Sequence, residues 1–494
     1  FTIEALAGLA LIISLTKRSF RPIILTGAGV IIGLCIAAIQ LLPNAKFVSE
    51  SVRSLKLPYE WSISVTPTPY HLLELLDPSF FYERIPFVAL GHEHAAYIGK
   101  LPLLFMVAVF MWMIHKKVFD LYLIYFFLLG FFAWWIALAH WAPFDLWAFL
   151  QKTLPFYSQL RIPSRHVLLY VFSGSALSGI GLSFIKKKVV LIFVTILVLA
   201  DLVPFAWHNI NLGAVPEATE DKKLIGALGG DNELFRYLPA FFAGSSPREN
   251  LEFATPMKYE LYSVSGYDTP QLRRYTEFLM AVNGVTINDL GPYTETIPPY
   301  TNLASPFTDF LNIRYIFVPW GQDLARIDGK RFIPRIEDQT RGYRLFENIS
   351  VLPRFYFVPI VDVRPNQESV LAAIGSGSVD PRRIVLTQAD QPIVSGDCPV
   401  DAEGDVALVS YKNSTINLKA SSPCNGFLVS SEVMYPGWIA TIDGKKTPVF
   451  EGNGAFRTII MPKGEHTVTF SYRPMILIVG GAISLFTLLT SMVY

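Results

Sequence analysis

The sequence predicts a polytopic α-helical membrane protein with a large extracytoplasmic α+β domain that ends in an antiparallel β-sandwich. Three observations carry the prediction. Long apolar runs recur before residue 209 and again after residue 473. Between them lies one polar, strand-rich block, Asn209–Arg473. The basic residues of the apolar part fall in alternate short loops, which assigns the loops to opposite sides of a bilayer.

Hydrophobic residues make up 52% of the 494 and charged residues 16%, against roughly 25% charged in ordinary soluble domains. The deficit is local to the apolar runs. A net charge of +1 gives no electrostatic footprint for a nucleic-acid partner. Cys35 falls in an apolar run and reads as a small core residue. Cys398 and Cys424 lie in the polar block and could pair in an oxidising compartment or stay free; their spacing leaves both open. Phe1 opens directly into an apolar run with no charged leader or cleavage site before it, so the natural N-terminus is expected upstream. The chain is expected to be cut at Tyr494 too.

Seven runs approach the roughly 20 apolar residues that cross a bilayer: Phe1–Thr16, Pro22–Leu42, Lys100–His115, Val118–His140, His166–Ile185, Val189–Trp207 and Pro474–Tyr494. The first and third are short. Lys17, Arg18 and Arg21, then Lys116 and Lys117, then Lys186, Lys187 and Lys188 fall in alternate loops, which marks those loops as cytoplasmic. The expected location is therefore the cytoplasmic membrane, multi-pass. Loops 43–99 and 141–165 and the polar block lie outside. Lys152, Arg161 and Arg165 are basic yet outside, and cations held at the outer membrane face suit lipid phosphates.

In the first outer loop, Thr68 to Leu76 reads as a short amphipathic helix with Thr68 at the N-cap and Pro69 at the first turn. Glu60, Glu74, Asp77, Glu83 and Glu93 are acids that could act as a general base or simply stay solvated. His92, Glu93 and His94 could hold a divalent metal, although i,i+2 imidazoles lack the helical spacing of zinc proteases and no third ligand is evident. In the second outer loop Arg161 and Arg165 bracket a Pro-Ser turn. Arginine meets phosphate with a bidentate fork, so a lipid-phosphate contact competes there with a topology anchor or an ion pair.

The polar block begins with mixed helix and loop signals. Tyr275–Asn283 reads as a helix, and Phe310–Val318 as a helix end running into a buried strand. From Tyr343 short strands dominate: Ile384–Gln388, Val406–Tyr411, Thr415–Ala420, Gly426–Glu432, Ile439–Asp443, Arg457–Met461 and His466–Tyr472. That spacing suggests a sandwich, with turns at Asp443-Gly444 and Pro462-Lys463-Gly464. Tyr435 and Trp438 could stack on sugar rings or fill the core. Asn348-Ile349-Ser350 and Asn413-Ser414-Thr415 match the glycosylation acceptor pattern. No P-loop, dinucleotide fingerprint, nucleophile elbow or zinc cysteine cluster is present.

Several pieces in order resemble one family. They are Gln40-Leu41-Leu42-Pro43, Ser51-Val52-Arg53, Tyr97-Ile98-Gly99, Arg161-Ile162-Pro163-Ser164-Arg165, Gly266-Tyr267-Asp268 and Leu311-Asn312-Ile313-Arg314-Tyr315. Most specific is Tyr435-Pro436-Gly437-Trp438 followed by Asp443-Gly444-Lys445, Gly464-Glu465-His466 and Tyr472-Arg473-Pro474. The chain resembles the C-terminal two-thirds or so of the bacterial YfhO family, which is similar to the GT-C class of membrane glycosyltransferases. The resemblance implies a GT-C-like fold, a polyprenyl-phosphate-sugar donor and an extracytoplasmic acceptor such as teichoic acid. It also implies a catalytic Asp or Glu in an outer loop upstream of Phe1, so the catalytic residue is expected to be absent here. Arg161, Arg165 and Arg53 are the residues expected at the donor phosphate.

The expected layout is transmembrane helices over 1–208, a mixed α/β region over 209–342, a sandwich-like region over 343–473 and a last transmembrane helix over 474–494. The competing reading is a non-enzymatic membrane protein whose ectodomain binds cell-wall glycan or assembles a partner complex. A transporter is disfavoured, because the spans carry almost no internal charge or broken-helix signal, Asp201 with Pro204 being the main exception.

Overall fold

Eight helices account for the apolar half of the chain: α1 Thr2–Lys17, α2 Arg21–Ile36, α3 Ala38–Glu50, α4 Lys100–Lys116, α5 Leu121–Leu138, α6 Leu146–Thr153, α7 Val167–Leu182 and α8 Lys188–Asn209. The computed structural model describes residues 2–55, 57–77, 96–154, 157–209, 222–229, 234–239, 259–264, 271–285, 302–321, 327–391 and 397–492. The chain forms two compact units, one of residues 1–38, 55–216 and 483–494, the other of 39–54 and 217–482.

Among the described residues two helical stretches, Leu121–Trp141 and Lys188–Trp207, are long and apolar enough to cross a membrane. α2 with α3 would make a third if the pair is one span. The other expected spans are helical, but α1, α4 and α7 hold 16, 17 and 16 residues. At 1.5 Å per residue they reach only about 24–26 Å, short of about 30 Å of hydrocarbon. The expected span Pro22–Leu42 is not one helix: α2 ends at Ile36, and α3 begins at Ala38 with Pro43 inside it. Side chains of α8 stand exposed (Ile192 61%, Leu199 55%), as lipid-facing residues do.

The basic loops close tightly. Arg18 and Lys117 take left-handed φ values of +47° and +50°, a C-terminal conformation that ends the helix after its last basic turn. Helices α4, α5 and α7 pack as one group. Gly130 of α5 faces Ser173 of α7, and Gly181 of α7 faces Phe105 of α4, where any Cβ would collide. Small residues thus let these apolar helices approach without a polar core. Asp201, an acid deep inside a predicted span, accepts from the Tyr97 hydroxyl and the Lys100 backbone N–H, both at 2.7 Å. It caps the start of α4 from α8, so its charge is absorbed by structure.

In the second unit α9 Lys222–Gly229 and α10 Arg273–Val282 flank a mixed five-stranded sheet. Its strands are β1 Arg236–Pro239, β2 Tyr262–Ser263, β3 Ile313–Pro319, β4 Phe332–Asp338 and β5 Tyr343–Asn348, in the order β2-β1-β3-β5-β4. The strand read from Phe310 onward is β3, entered through the single helical turn Phe307–Phe310 and a left-handed Asn312 (φ +62°). The core behind the sheet is aromatic: Phe456 meets Phe278 and Phe310 edge-on, with ring centres 4.8 and 4.7 Å apart. Asn348 is fully buried and donates to Asp309 and to the Ile313 carbonyl, so the first glycosylation pattern is not accessible.

The expected sandwich is present but starts later. β5 belongs to the mixed sheet, and the sandwich begins at β6 Phe355–Val358. Next come β7 Ile360–Arg364, α11 Gln367–Ser376 and β8 Ile384–Gln388. β7 and β8 pair in parallel, not antiparallel. Parallel neighbours need a crossover, and α11 supplies it, capped by Asn366 and stopped by Gly377 at φ +67°. The sandwich proper has two sheets. One runs β13-β12-β16-β10-β9, with β9 Asp405–Lys412, β10 Thr415–Ser422, β12 Trp438–Ile442, β13 Lys445–Thr447 and β16 Gly464–Tyr472. The other runs β14-β15-β11-β6, with β11 Gly426–Val433, β14 Phe450–Gly452 and β15 Phe456–Met461. Phe355, Leu418, Leu428, Ile459, Val468 and Phe470 fill the space between them. Cys398 and Cys424 are joined in a disulfide. The last helix, α12 Met475–Ser491, follows β16 directly.

Candidate functional site at the loop layer

Two long loops of the first unit, the stretches 57–65 and 145–165, are knitted backbone to backbone. The Leu57 N–H donates to the Ser158 carbonyl at 3.2 Å and the Ile162 N–H to the Ser62 carbonyl at 2.9 Å. Ser164 Oγ donates to the Val65 carbonyl at 3.1 Å. Trp147 is the plug between them: it is 1% exposed, donates its indole N–H to Ser62 Oγ at 3.1 Å, and meets the rings of Tyr157 and His166 edge-on. Asp145 caps α6 through the Ala148 N–H at 2.8 Å and accepts from the Tyr59 hydroxyl. His166 Nδ1 lies 3.0 Å from the Pro163 carbonyl and Nε2 lies 3.0 Å from the Tyr157 hydroxyl. A carbonyl only accepts, so Nδ1 carries the proton and Nε2 of the neutral ring takes the tyrosine's.

Arg161 and Arg165 stand on this platform, either end of one turn. Arg161 Nη2 donates to Ser64 Oγ at 2.9 Å, and its guanidinium lies 4.5 Å from the centre of the Trp61 ring. Arg165 is exposed on the single turn Pro163–His166. Between them Ile162 is forced to φ +66° with its side chain buried. A β-branched residue there is a steric outlier held by its surroundings, here the bond to Ser62. Arg53 belongs to the other unit, half-buried on the turn Val52–Ser54, whose Val52 N–H donates to the Gln271 carbonyl at 2.9 Å.

Thr68 caps the next turn as expected, but Pro69–Leu75 winds as a 3₁₀ helix. The Thr68 N–H donates to His71 Nδ1 at 3.0 Å. Burial pushes the His71 imidazole below its ordinary value. On the same turn Glu74 is half-buried, and burial raises its carboxyl to about 7. Asp77 is exposed just after the turn, and Glu60 is exposed as well. Glu83, His92, Glu93 and His94, with the metal site they could form, lie outside the described residues.

Below this layer an apolar cleft of about 450 Å³ is lined by Phe126, Phe131, Trp134, Trp135, Tyr170 and Leu177 of α5 and α7, and reaches Leu72, Ala142 and Pro143 of the loops. Its lining is apolar apart from Ser173 and the polar tips of the Trp134, Trp135 and Tyr170 rings. Periodicity alone does not reveal it, because cleft-lining and lipid-facing aromatics look the same in an apolar run.

Tyr435 and Trp438 sit in the second unit. Trp438 is half-buried, with the Arg457 guanidinium 3.9 Å from its ring centre and the Tyr472 ring 5.4 Å away. Tyr435 lies between Phe47 and Tyr472, each 6.2 Å off. The motif around them closes a corner: Gly437, at φ +111°, offers its carbonyl to the Arg473 N–H at 2.8 Å. Asp443 and Gly444, at φ +50° and +79°, make the β12–β13 turn, and Asp443 also accepts from His466 and from the Thr467 N–H. The motif residues thus explain one another as structure.

No curated protein and no solved structure matches the chain. Residues 354–484, from the residue before β6 into α12, match the family model described as bacterial membrane protein YfhO.

Proposed function

We propose that the protein is a membrane glycosyltransferase that takes a sugar from a polyprenyl-phosphate-linked donor and adds it to an extracytoplasmic cell-envelope acceptor such as teichoic acid. The observation that carries the reading is the aromatic cleft running from α5 and α7 into the loop layer. A trough of this kind suits an isoprenoid chain. In the same unit, the Arg161 and Arg165 turn suits the phosphate that such a chain carries at the membrane face. Outside the cytoplasm no nucleotide pool exists, so a membrane-soluble activated sugar is a sensible donor. Glu74, with its carboxyl near 7, can exchange a proton close to neutral pH. The sandwich unit handles the acceptor.

The test uses the full-length protein. The double variant Arg161→Ala/Arg165→Ala should lose donor binding, read by photo-crosslinking to a polyprenyl-phosphate sugar, and transfer with it. Unchanged binding and transfer would reject the phosphate role. Envelope glycans that are the same with and without the gene would reject transfer itself and favour a glycan-binding or scaffolding ectodomain.

A further inference from the structure

Glu432 near the end of β11 has a side chain only 12% exposed, and arginines from three separate segments converge on it. Arg236 Nη2 of β1 lies 3.0 Å from Oε1, and Arg457 Nη2 of β15 lies 3.0 Å from Oε2. Arg354 Nη1, one residue ahead of β6, lies 3.5 Å from Oε1. Burial by itself would raise the Glu432 pKa, but the three guanidiniums outweigh it and hold the carboxyl below its usual range. One carboxylate among three guanidiniums leaves a surplus of two positive charges. A surplus of that kind away from water is unfavourable unless something neutralises it.

The surplus is uneven. Arg236 has further acceptors, the Leu311 carbonyl at 3.1 Å and Ser431 Oγ at 2.7 Å. Arg354 and Arg457 are less well served. Their side chains are 3% and 4% exposed. Nε and Nη1 of Arg457 have no hydrogen-bond partner among the described residues, and neither Nη atom of Arg354 makes a well-aligned one, its nearest acceptor besides Glu432 being the neutral Tyr411 hydroxyl. Aromatic faces stand in for acceptors. Tyr262 lies 4.4 Å and Tyr411 5.4 Å from the Arg354 guanidinium, and Trp438 covers Arg457. A ring quadrupole attracts a cation but brings no charge. Burial, and after it the nearby Arg236, pushes the Arg354 guanidinium down to about 10.

Arg354 is also the one charged residue lining a cleft of about 550 Å³, with Leu234, Phe235, Pro353, Phe355 and Leu408 in its walls. We propose that this cleft is an anion site for a phosphate monoester of about sugar-phosphate size, with Arg354 as the main contact and Arg236 and Arg457 supplying field. A phosphate monoester carries about −1.5 to −2 at neutral pH, which matches the surplus; a carboxylate or a diester covers half of it. The arginine fork fits phosphate oxygens. Phe235 and Phe355 face the carbon part. The site lies wholly in the second unit and does not rest on transferase activity.

The experiment is calorimetric titration and thermal melting of the full-length protein in detergent, with inorganic phosphate, glucose 1-phosphate, a glycerol phosphodiester and acetate. Phosphate and glucose 1-phosphate should bind and raise the melting temperature; acetate and the diester should bind more weakly. Arg354→Met keeps the stem and should weaken binding about thirtyfold or more. Glu432→Gln raises the surplus from two to three, so it should tighten phosphate binding while lowering the melting temperature without phosphate. Arg161→Ala/Arg165→Ala should leave these titrations unchanged even where donor binding is lost. Failure of wild-type protein to bind phosphate overturns the proposal. So does binding that neither Arg354→Met nor Glu432→Gln alters, and should Arg354→Met not fold, Glu432→Gln decides alone.

Discussion

Glu74 is the acid whose surroundings set it apart from its neighbours. Glu60 and Asp77 stand exposed, whereas Glu74 is half-buried on a 3₁₀ turn and its carboxyl is raised to about 7. The folded chain therefore holds this proton more tightly than the unfolded chain does. Stability contributed by the neutral carboxyl is complete below about 4.5, the ordinary value, and is lost as pH climbs through about 7. Thermal melts of the full chain from pH 4 to 8 should show that decline, and Glu74→Gln should flatten it. An equal slope in the variant would assign the decline to other groups. None of this was legible in the sequence, where five acids of the loop looked alike. Burial by residues distant along the chain is what separates them. The same holds for Asp201: its sequence position flagged an intramembrane charge, and only its bond to the Lys100 N–H, 101 residues away at the start of α4, shows that it caps a helix.

Seven strands between Ile384 and Tyr472 were readable to within two residues at each end, because alternation and Asp-Gly or Lys-Gly turns are local signals, whereas the three-residue strands Lys445–Thr447 and Phe450–Gly452 were too short to show a period. The crossover helix α11 was overlooked although its start and stop residues, Asn366 and Gly377, stand in the sequence. Without it β7 and β8 look like one more hairpin. The signature corner at Gly437 makes a direct test. At φ +111° a side chain is strained, and an added Cβ would meet Pro474 Cα at 3.1 Å. Gly437→Ala should therefore cost about 1–3 kcal/mol, seen as a lower melting temperature of the full chain; an unchanged melt would mean the corner relaxes freely. The disulfide is a second. Its cysteines are 26 residues apart, and a loop of that size stabilises by about 3–4 kcal/mol through the unfolded chain. Cys398→Ala/Cys424→Ala should lower the melting temperature accordingly, and dithiothreitol should do the same to the native protein alone.

Across the whole molecule the sidedness of the loops is the property on which the proposed function depends. The proposed function takes the face that carries the basic clusters at Lys17–Arg21, Lys116–Lys117 and Lys186–Lys188 as cytoplasmic. In a Cys35→Ser background, a membrane-impermeant maleimide should label Lys412→Cys in intact cells and Lys117→Cys only after permeabilisation. The reverse pattern would put the sandwich unit in the cytoplasm and remove the basis for an envelope acceptor. Helix length bears on the same scale. Seven apolar runs are visible in the sequence, yet among the described residues two or three of the helices they form have the length of a full span.

The sequence by itself determined that this is a membrane protein with a large strand-rich domain between its apolar runs, and it marked the Arg161–Arg165 turn and the sandwich signature. Those properties are written in length, period and turn residues, all read within a short window. Only the tertiary structure decided that Trp61 and Ser64 receive Arg161, that an aromatic trough opens beneath them, and that arginines as far as 196 residues from Glu432 converge on it. Charged residues inside otherwise apolar strands, Glu432 in β11 and Arg457 in β15, were the available hint. Their meaning depends on which strands lie side by side, and strand pairing is settled by burial of the shared core, which no local pattern encodes.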